Sequence, residues 1–124
     1  MDTTISHTDA GTATLTSPAN KTDQVTYTVA NLVLDQLAAW DVNRIFGVPG
    51  DAILELVGAA ATHPKVKFYS AKTETAAAFM ASAYSKLTGR LGVCIAAAGP
   101  GVAQLINGLG DAFLDRTPVL VITG

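Results

Sequence analysis

The sequence has few residues that could cross-link the chain or hold a metal ion, with one cysteine, Cys94, and two histidines among 124 residues. A single cysteine excludes an intrachain disulfide and fits a reducing compartment, so we expect a cytoplasmic protein. His7 and His63 are isolated in the sequence, and we therefore predict no metal site. Cys94 lies in an apolar run and is expected to be an inert core residue.

The sequence also lacks a large excess of charge of either sign. Eight basic and ten acidic side chains give a formal net charge of −2, and no basic run suggests a nucleic-acid partner. Residues 91–110 carry no charge, but the Gly-Pro-Gly turn at 99–101 and the polar Gln104 and Asn107 argue against a membrane span. The N-terminus has the pattern of neither a secretory signal nor an organelle transit peptide.

Two regions differ in composition. Residues 1–24 are rich in Thr, Ser, Asp and Ala without an apolar period, which predicts a disordered tail. From residue 25 to 124, apolar segments of strand and helix spacing alternate. We predict strands at 44–48, 66–70, 91–96 and 118–122, and helices from Thr26 or Thr28 to about Trp40, from an Asp51 cap to about His63, from Thr73 to Thr88, and from about Val102 to Leu114.

This alternation predicts an α/β fold, with a parallel sheet and helices on both of its faces. The runs at 93–95 and 119–122 are continuously apolar, as in central strands that are covered on both sides. Such a domain normally continues with a helix and further strands. We therefore expect the domain at 25–124 to be incomplete at its C-terminal end, as a truncated piece of a larger protein or a part that needs a partner.

Glu74 is the residue most suited to chemistry. It is one of two glutamates and opens a helix in which every residue from Ala76 to Ala83 except Ser82 is apolar, so this helix is expected to be buried or to lie in an interface. The helix dipole favours the charged carboxylate and desolvation favours the neutral acid, a balance that suits proton sharing. The simpler alternative, an inert helix-start acid after a Thr73 cap, is favoured by position alone.

Two Gly/Pro turns follow predicted strands, where parallel sheets bind ligands. The first runs from Phe46 to Asp51, and the second from Ala98 through Gly101 towards Gln104. Each taken alone is better explained as a simple turn, and neither has the spacing of a dinucleotide or Walker loop. Backbone N–H groups at the second turn could still hold an anion or the edge of a heterocycle. Gly108 and Gly110 predict close packing against another helix, of this chain or of a second subunit.

Taken together, these features resemble the N-terminal, pyrimidine-binding domain of thiamine diphosphate enzymes, from about residue 25 to the end. Within that family the chain is similar to the branch of acetolactate synthase, pyruvate oxidase and quinone-dependent pyruvate dehydrogenase. The motifs occur in one order: Phe-Gly-Val-Pro-Gly-Asp at 46–51, Glu74 with Met80, Tyr84 and Thr88-Gly89, Gly92-Val93-Cys94, Gly99-Pro100-Gly101, Asn107-Gly108-Leu109, Asp111-Ala112, Pro118-Val119-Leu120 and Ile122-Thr123-Gly124.

The resemblance implies a catalytic role for Glu74. In the family, the glutamate at this position hydrogen-bonds a ring nitrogen of the cofactor's aminopyrimidine and favours the imino tautomer that removes the thiazolium proton. By the same matching, the pyrimidine half of thiamine diphosphate would be bound by Val48, Pro49, Gly50, Pro100 and Gly101, with Gln104 near the pyrimidine. The chain departs from the family at Thr73, where histidine is usual.

The resemblance also implies partners. The Glu74 helix would lie at the interface of a homodimer or tetramer, and the diphosphate-binding domain of another subunit would complete the site. Mg²⁺ and, where it is used, FAD are expected in domains that these 124 residues do not contain.

The leading hypothesis is the N-terminal part of a thiamine diphosphate-dependent enzyme that decarboxylates a 2-oxo acid such as pyruvate. A non-catalytic fragment that dimerises through the Glu74 and Gly108 helices is the alternative. A free-standing nucleotide binder is less favoured, because both loops lack the corresponding fingerprints.

Overall fold

The computed structural model describes residues 27–124, so the predicted tail at 1–24 lies outside the described residues. Within the described part, helices and strands alternate as predicted: α1 (Val29–Ala39), β1 (Arg44–Gly47), α2 (Leu54–Thr62), β2 (Lys67–Ser70), α3 (Glu74–Thr88), β3 (Gly92–Ala96), α4 (Pro100–Leu114) and β4 (Val119–Thr123). A short 3₁₀ turn at Asp51–Ile53 precedes α2. Among these helices, none has the length and apolar character that a membrane span requires.

The strands form one parallel sheet in the order β2-β1-β3-β4. The chain passes from β1 to β2 at one edge, and then crosses back to β3 on the other side of β1. Because crossovers between parallel strands are right-handed, this reversal places α2 on one face of the sheet and α3 and α4 on the other. The reversal also makes the gap between the carboxyl ends of β1 and β3 the topological switch point, where open α/β sheets bind ligands.

Two apolar cores confirm that helices cover both faces. Side chains alternate across the central strands, as strand geometry requires. Ile45, Val93 and Ile95 belong to the core that α1 and α2 cover, whereas Phe46, Cys94 and Ala96 belong to the core that α3 and α4 cover. The sheet is therefore a middle layer that holds its strand ends in fixed positions.

The helix ends follow the predicted caps with one exception. The Thr28 side chain accepts from the Asn31 N–H and caps α1, and the Thr73 side chain accepts from the Ala76 N–H at 3.2 Å and caps α3. Asp51, in contrast, is not a cap. The Ile53 N–H donates to the Gly50 carbonyl at 3.0 Å, so the chain enters a tight 3₁₀ turn at Asp51, and α2 begins only at Leu54.

Helices α3 and α4 pack closely through Gly108. A Cβ atom at position 108 would lie 2.5 Å from the Cβ of Ala78 and 2.7 Å from the backbone nitrogen of Phe79. The predicted close packing of Gly108 is thus confirmed, and its neighbour is a helix of the same chain. A Cβ at Gly110 would meet no described atom within 4 Å, because that residue lies about 200° further around α4.

Candidate cofactor-binding site

The two Gly/Pro turns lie side by side at the switch point. Strands β1 and β3 pair in parallel, with Gly47 opposite Ile95, so the chain leaves both strands at the same edge of the sheet. A Cβ at Gly50 would lie 2.7 Å from the Cβ of Ala97, which shows that the loop after β1 touches the loop after β3. The fold therefore brings together two turns that are about fifty residues apart in the sequence.

Glu74 reaches the same region from α3. It is the first residue of that helix, directly after the Thr73 cap, and its side chain is half-buried. A Cβ at Gly101 would lie 2.9 Å from Oε1 of Glu74, so the carboxylate rests against the backbone of α4 at a buried glycine. The glycine leaves space beside the carboxylate that any other residue would fill.

The start of α4 has a special backbone. Gly99 has φ 71° and ψ −122°, a conformation that side-chain-bearing residues rarely adopt, and Pro100 follows at the first helical position. The N–H groups of Val102 and Ala103 both donate to the Gly99 carbonyl, and proline has no N–H. This leaves the Gly101 N–H as a first-turn donor without a helical acceptor, beside the carboxylate of Glu74.

The remaining predicted site residues contribute less. Val48 is half-buried, and Pro49 and Pro100 are exposed at the same edge of the sheet. The side chain of Gln104 is exposed, and among residues 27–124 no hydrogen bond joins it to Glu74. Its backbone carbonyl, however, accepts a 2.7 Å hydrogen bond from the hydroxyl of Thr75.

The sequence did not identify Thr75 as a residue near the site. It is the second residue of α3 and bonds directly to α4, one position from Glu74. No local pattern identifies this contact, because its partner lies 29 residues away.

His63 and Cys94 lie away from these loops, and neither is placed to react. The buried His63 ring contacts the Asp35 carboxylate at 3.1 Å, and its Nδ1 accepts from the Val66 N–H at 2.9 Å, so it joins α1 to the start of β2. Burial raises the pKa of the Cys94 thiol to about 11, which keeps it neutral and confirms an inert core residue. Within residues 27–124, no group of three or more potential ligands could hold a metal ion.

Residues 27–124 match the family described as thiamine pyrophosphate enzyme, N-terminal TPP binding domain. A putative thiamine pyrophosphate-containing protein, YdaP, of Bacillus subtilis is 41% identical over 98 residues, which cover 78% of this chain and 17% of that protein. A pyruvate oxidase of Lactiplantibacillus plantarum is 37% identical over 105 residues, 84% of this chain and 17% of the oxidase.

The large subunit of acetolactate synthase isozyme 2 of Escherichia coli is 44% identical over 95 residues, which cover 77% of this chain and 17% of that subunit. The chain thus spans about a sixth of the length of these relatives. The matched family, the parallel α/β fold and the position of the two loops agree with the resemblance seen in the sequence. The chain belongs to the thiamine pyrophosphate enzymes, and it carries their N-terminal cofactor-binding domain.

Proposed function

We propose that residues 25–124 bind the pyrimidine half of thiamine diphosphate, and that Glu74 activates the cofactor in an enzyme that decarboxylates a 2-oxo acid such as pyruvate. The observation that carries this proposal is the position of the Glu74 carboxylate, which faces a glycine of α4 beside the switch point of the sheet. A half-buried carboxylate at a helix start is a hydrogen-bond acceptor held in one fixed position, which acid–base catalysis requires.

The residues at the site fit a flat heterocycle. Glu74 offers an acceptor, the Gly101 N–H offers a donor, and the missing side chain at Gly101 lets the carboxylate lie against α4. Glu74 would bind a ring nitrogen, Gly50 and Gly101 would keep the loop after β1 and the Glu74 carboxylate close to the loop after β3 and to α4, and Val48, Pro49 and Pro100 would line the faces of the ring. Gln104 completes the proposed set at the exposed end.

When bound, thiamine diphosphate supplies the carbon nucleophile and the electron sink that decarboxylation of a 2-oxo acid requires. The contribution of this chain is to orient the pyrimidine and to hold a proton at the Glu74 carboxyl. The name of one relative, a pyruvate oxidase, supports a 2-oxo acid as substrate.

We assign the diphosphate, Mg²⁺ and, where it is used, FAD to other domains. The relatives are several times longer than the matched region, so further domains have ample chain to reside in. In this proposal, the diphosphate-binding domain comes from another subunit of a homodimer or tetramer and closes over Glu74. The assembly would form through the outer α3–α4 surface, which we define by six exposed apolar residues, Phe79, Met80, Leu87, Ile106, Phe113 and Leu114.

The test is Glu74→Gln in the complete enzyme, assayed for turnover of pyruvate with saturating thiamine diphosphate. Glutamine keeps the size and loses the titrating proton, so turnover should fall about 10²- to 10⁴-fold while the fold remains intact. Glu55→Gln is the matched control, because Glu55 also lies in a first helical turn but is exposed on α2. Wild-type turnover in the Glu74 variant would refute the proposal.

The alternative function, a dimerisation module without turnover, draws on the same exposed α3–α4 surface. The two functions differ in cofactor binding. Calorimetric heat on mixing the complete enzyme with thiamine diphosphate and Mg²⁺, reduced by Glu74→Gln, would support the first. A stable dimer in light scattering with no heat of binding would support the second.

A further inference from the structure

A hydrogen bond ties the first turn of α3 to α4 beside Glu74. The Thr75 hydroxyl donates to the Gln104 carbonyl at 2.7 Å, and Thr75 is half-buried. A threonine hydroxyl inside a helix normally bonds back to a carbonyl of its own helix, as Thr88 does with the Tyr84 carbonyl at 2.6 Å. Thr75 is the second residue of α3, so the carbonyls three and four residues before it lie outside the helix. Its hydroxyl is therefore free to reach the neighbouring helix.

This hydrogen bond is the first of a row of contacts between α3 and α4, which we call the seam. Contacts along the seam join residues of constant separation, since Thr75 to Gln104 and Ser82 to Asp111 both span 29 residues. Between them, the backbone of α3 at Ala78 lies against Gly108. Further along, Lys86 bonds Asp111 at 2.8 Å and Asp115 at 2.6 Å.

The end of the seam near the site differs from the rest. At Gly108 the helices interlock by shape, because no side chain separates them. At Gly101 the glycine provides open space for the Glu74 carboxylate instead of a packing surface. Ala77, later in the same turn, is buried in the core with Leu105, but no such packing holds the helix start at Glu74. The Thr75 bond is the contact with α4 that lies next to Glu74.

We propose that Thr75 is a positioning residue that holds the start of α3 against α4 and so keeps the Glu74 carboxylate beside Gly101, where a bound pyrimidine would meet it. The inference rests on the proposed function for its cofactor part. Its structural part concerns only the location of Glu74.

Thr75→Val tests this inference, because valine matches threonine in shape and helix propensity. The substitution replaces only the hydroxyl, with a methyl group. Thr75→Ser restores the hydroxyl. Thr88→Val is the matched control, since it removes a hydrogen bond from the last turn of the same helix, far from Glu74.

The measurement uses the full chain labelled with ¹³C-carboxyl glutamate. Two signals are expected, from Glu55 and Glu74, and Glu74→Gln assigns them. Without ligand, Thr75→Val should move the Glu74 signal and leave the Glu55 signal in place, whereas Thr75→Ser and Thr88→Val should resemble wild type. In the complete enzyme, titration with thiamine diphosphate and Mg²⁺ should show an affinity about five- to tenfold weaker for Thr75→Val, which corresponds to the free energy of one hydrogen bond.

Identical Glu74 signals in wild type and Thr75→Val, without ligand, would overturn the positioning role. So would a signal in Thr75→Ser that matches Thr75→Val, because the hydroxyl would then be irrelevant. A failure of the proposed function looks different: Glu74→Gln would leave turnover of the complete enzyme unchanged, although Thr75→Val still displaces the Glu74 signal in the free chain.

Discussion

Cys94 lies at the centre of β3 with no exposed surface, and burial raises the pKa of its thiol from 9.0 to about 11. Well below pH 9.0 the thiol is neutral in folded and unfolded chains alike. As the pH rises towards about 11, only the unfolded chain ionises there, so folding loses stability over this window. A shift of this size corresponds to roughly 2 to 3 kcal/mol at the alkaline end.

Cys94→Ala should remove this alkaline dependence. The variant is expected to be about 1 kcal/mol less stable than wild type near neutral pH, because a small cavity replaces the sulfur, and the difference should shrink or reverse as the pH rises. Urea unfolding of both proteins, followed by circular dichroism across the alkaline range, measures it. A difference that stays constant with pH would contradict the argument.

At the scale of single residues, the sequence predicts which positions matter better than it predicts why. Gly99 and Gly101 both appear in one Gly-Pro-Gly motif, yet Gly99 is required for its positive φ and Gly101 for the space beside Glu74. Only the fold separates the two reasons. The hydrogen bonds of Thr75 and His63 could not be predicted from the sequence, because their partners lie 29 and 28 residues away.

At the scale of elements, the contact between α3 and α4 depends on Gly108. Alanine normally stabilises a mid-helix position by about 1 kcal/mol relative to glycine. At position 108 the added methyl would meet the backbone nitrogen of Phe79, which cannot rotate away, so we expect Gly108→Ala to cost about 1 to 3 kcal/mol.

Gly58→Ala provides the comparison, because Gly58 lies within α2 and a Cβ there meets nothing within 4 Å. This variant should gain up to about 1 kcal/mol. Chemical denaturation of both variants gives the two free energies of unfolding. The packing argument fails if Gly108→Ala is as stable as Gly58→Ala.

The sequence predicts the elements themselves well, because each signal is local. The helical spacing, the threonine caps at Thr28 and Thr73 and the left-handed Gly89 at the end of α3 all lie within a few residues of the feature that they mark. Asp51 failed as a cap because the preceding Gly50 carbonyl forms a 3₁₀ turn instead. The strand order was not predicted, since it depends on pairing between segments that are distant in the chain.

At the scale of the whole molecule, the outer α3–α4 surface is one of the exposed apolar surfaces of residues 27–124. Ile106 and Phe113 are seven residues apart on α4 and so share one helix face, with exposed fractions of 64% and 81%. Gly110 lies between them on that face and leaves room for another helix to approach. The predicted packing of Gly110 against a second subunit fits this stripe and stays a prediction.

If the proposed assembly forms through the outer α3–α4 surface, Phe113→Ser should weaken it by more than about tenfold, because aromatic residues in the middle of an apolar interface carry much of the binding free energy. Leu32→Ser is the control, since Leu32 is also an exposed apolar residue, at 57%, but lies on α1 and therefore on the other side of the sheet. Sedimentation equilibrium gives both dissociation constants, with circular dichroism to check that each variant is folded. If Leu32→Ser weakens the dimer as much as Phe113→Ser, or if neither does, the second subunit does not bind through α3 and α4. Glu74 at the start of α3 would then lie away from any interface, and the diphosphate-binding domain would have to approach it from the exposed side of the loops at 48–50 and 97–101.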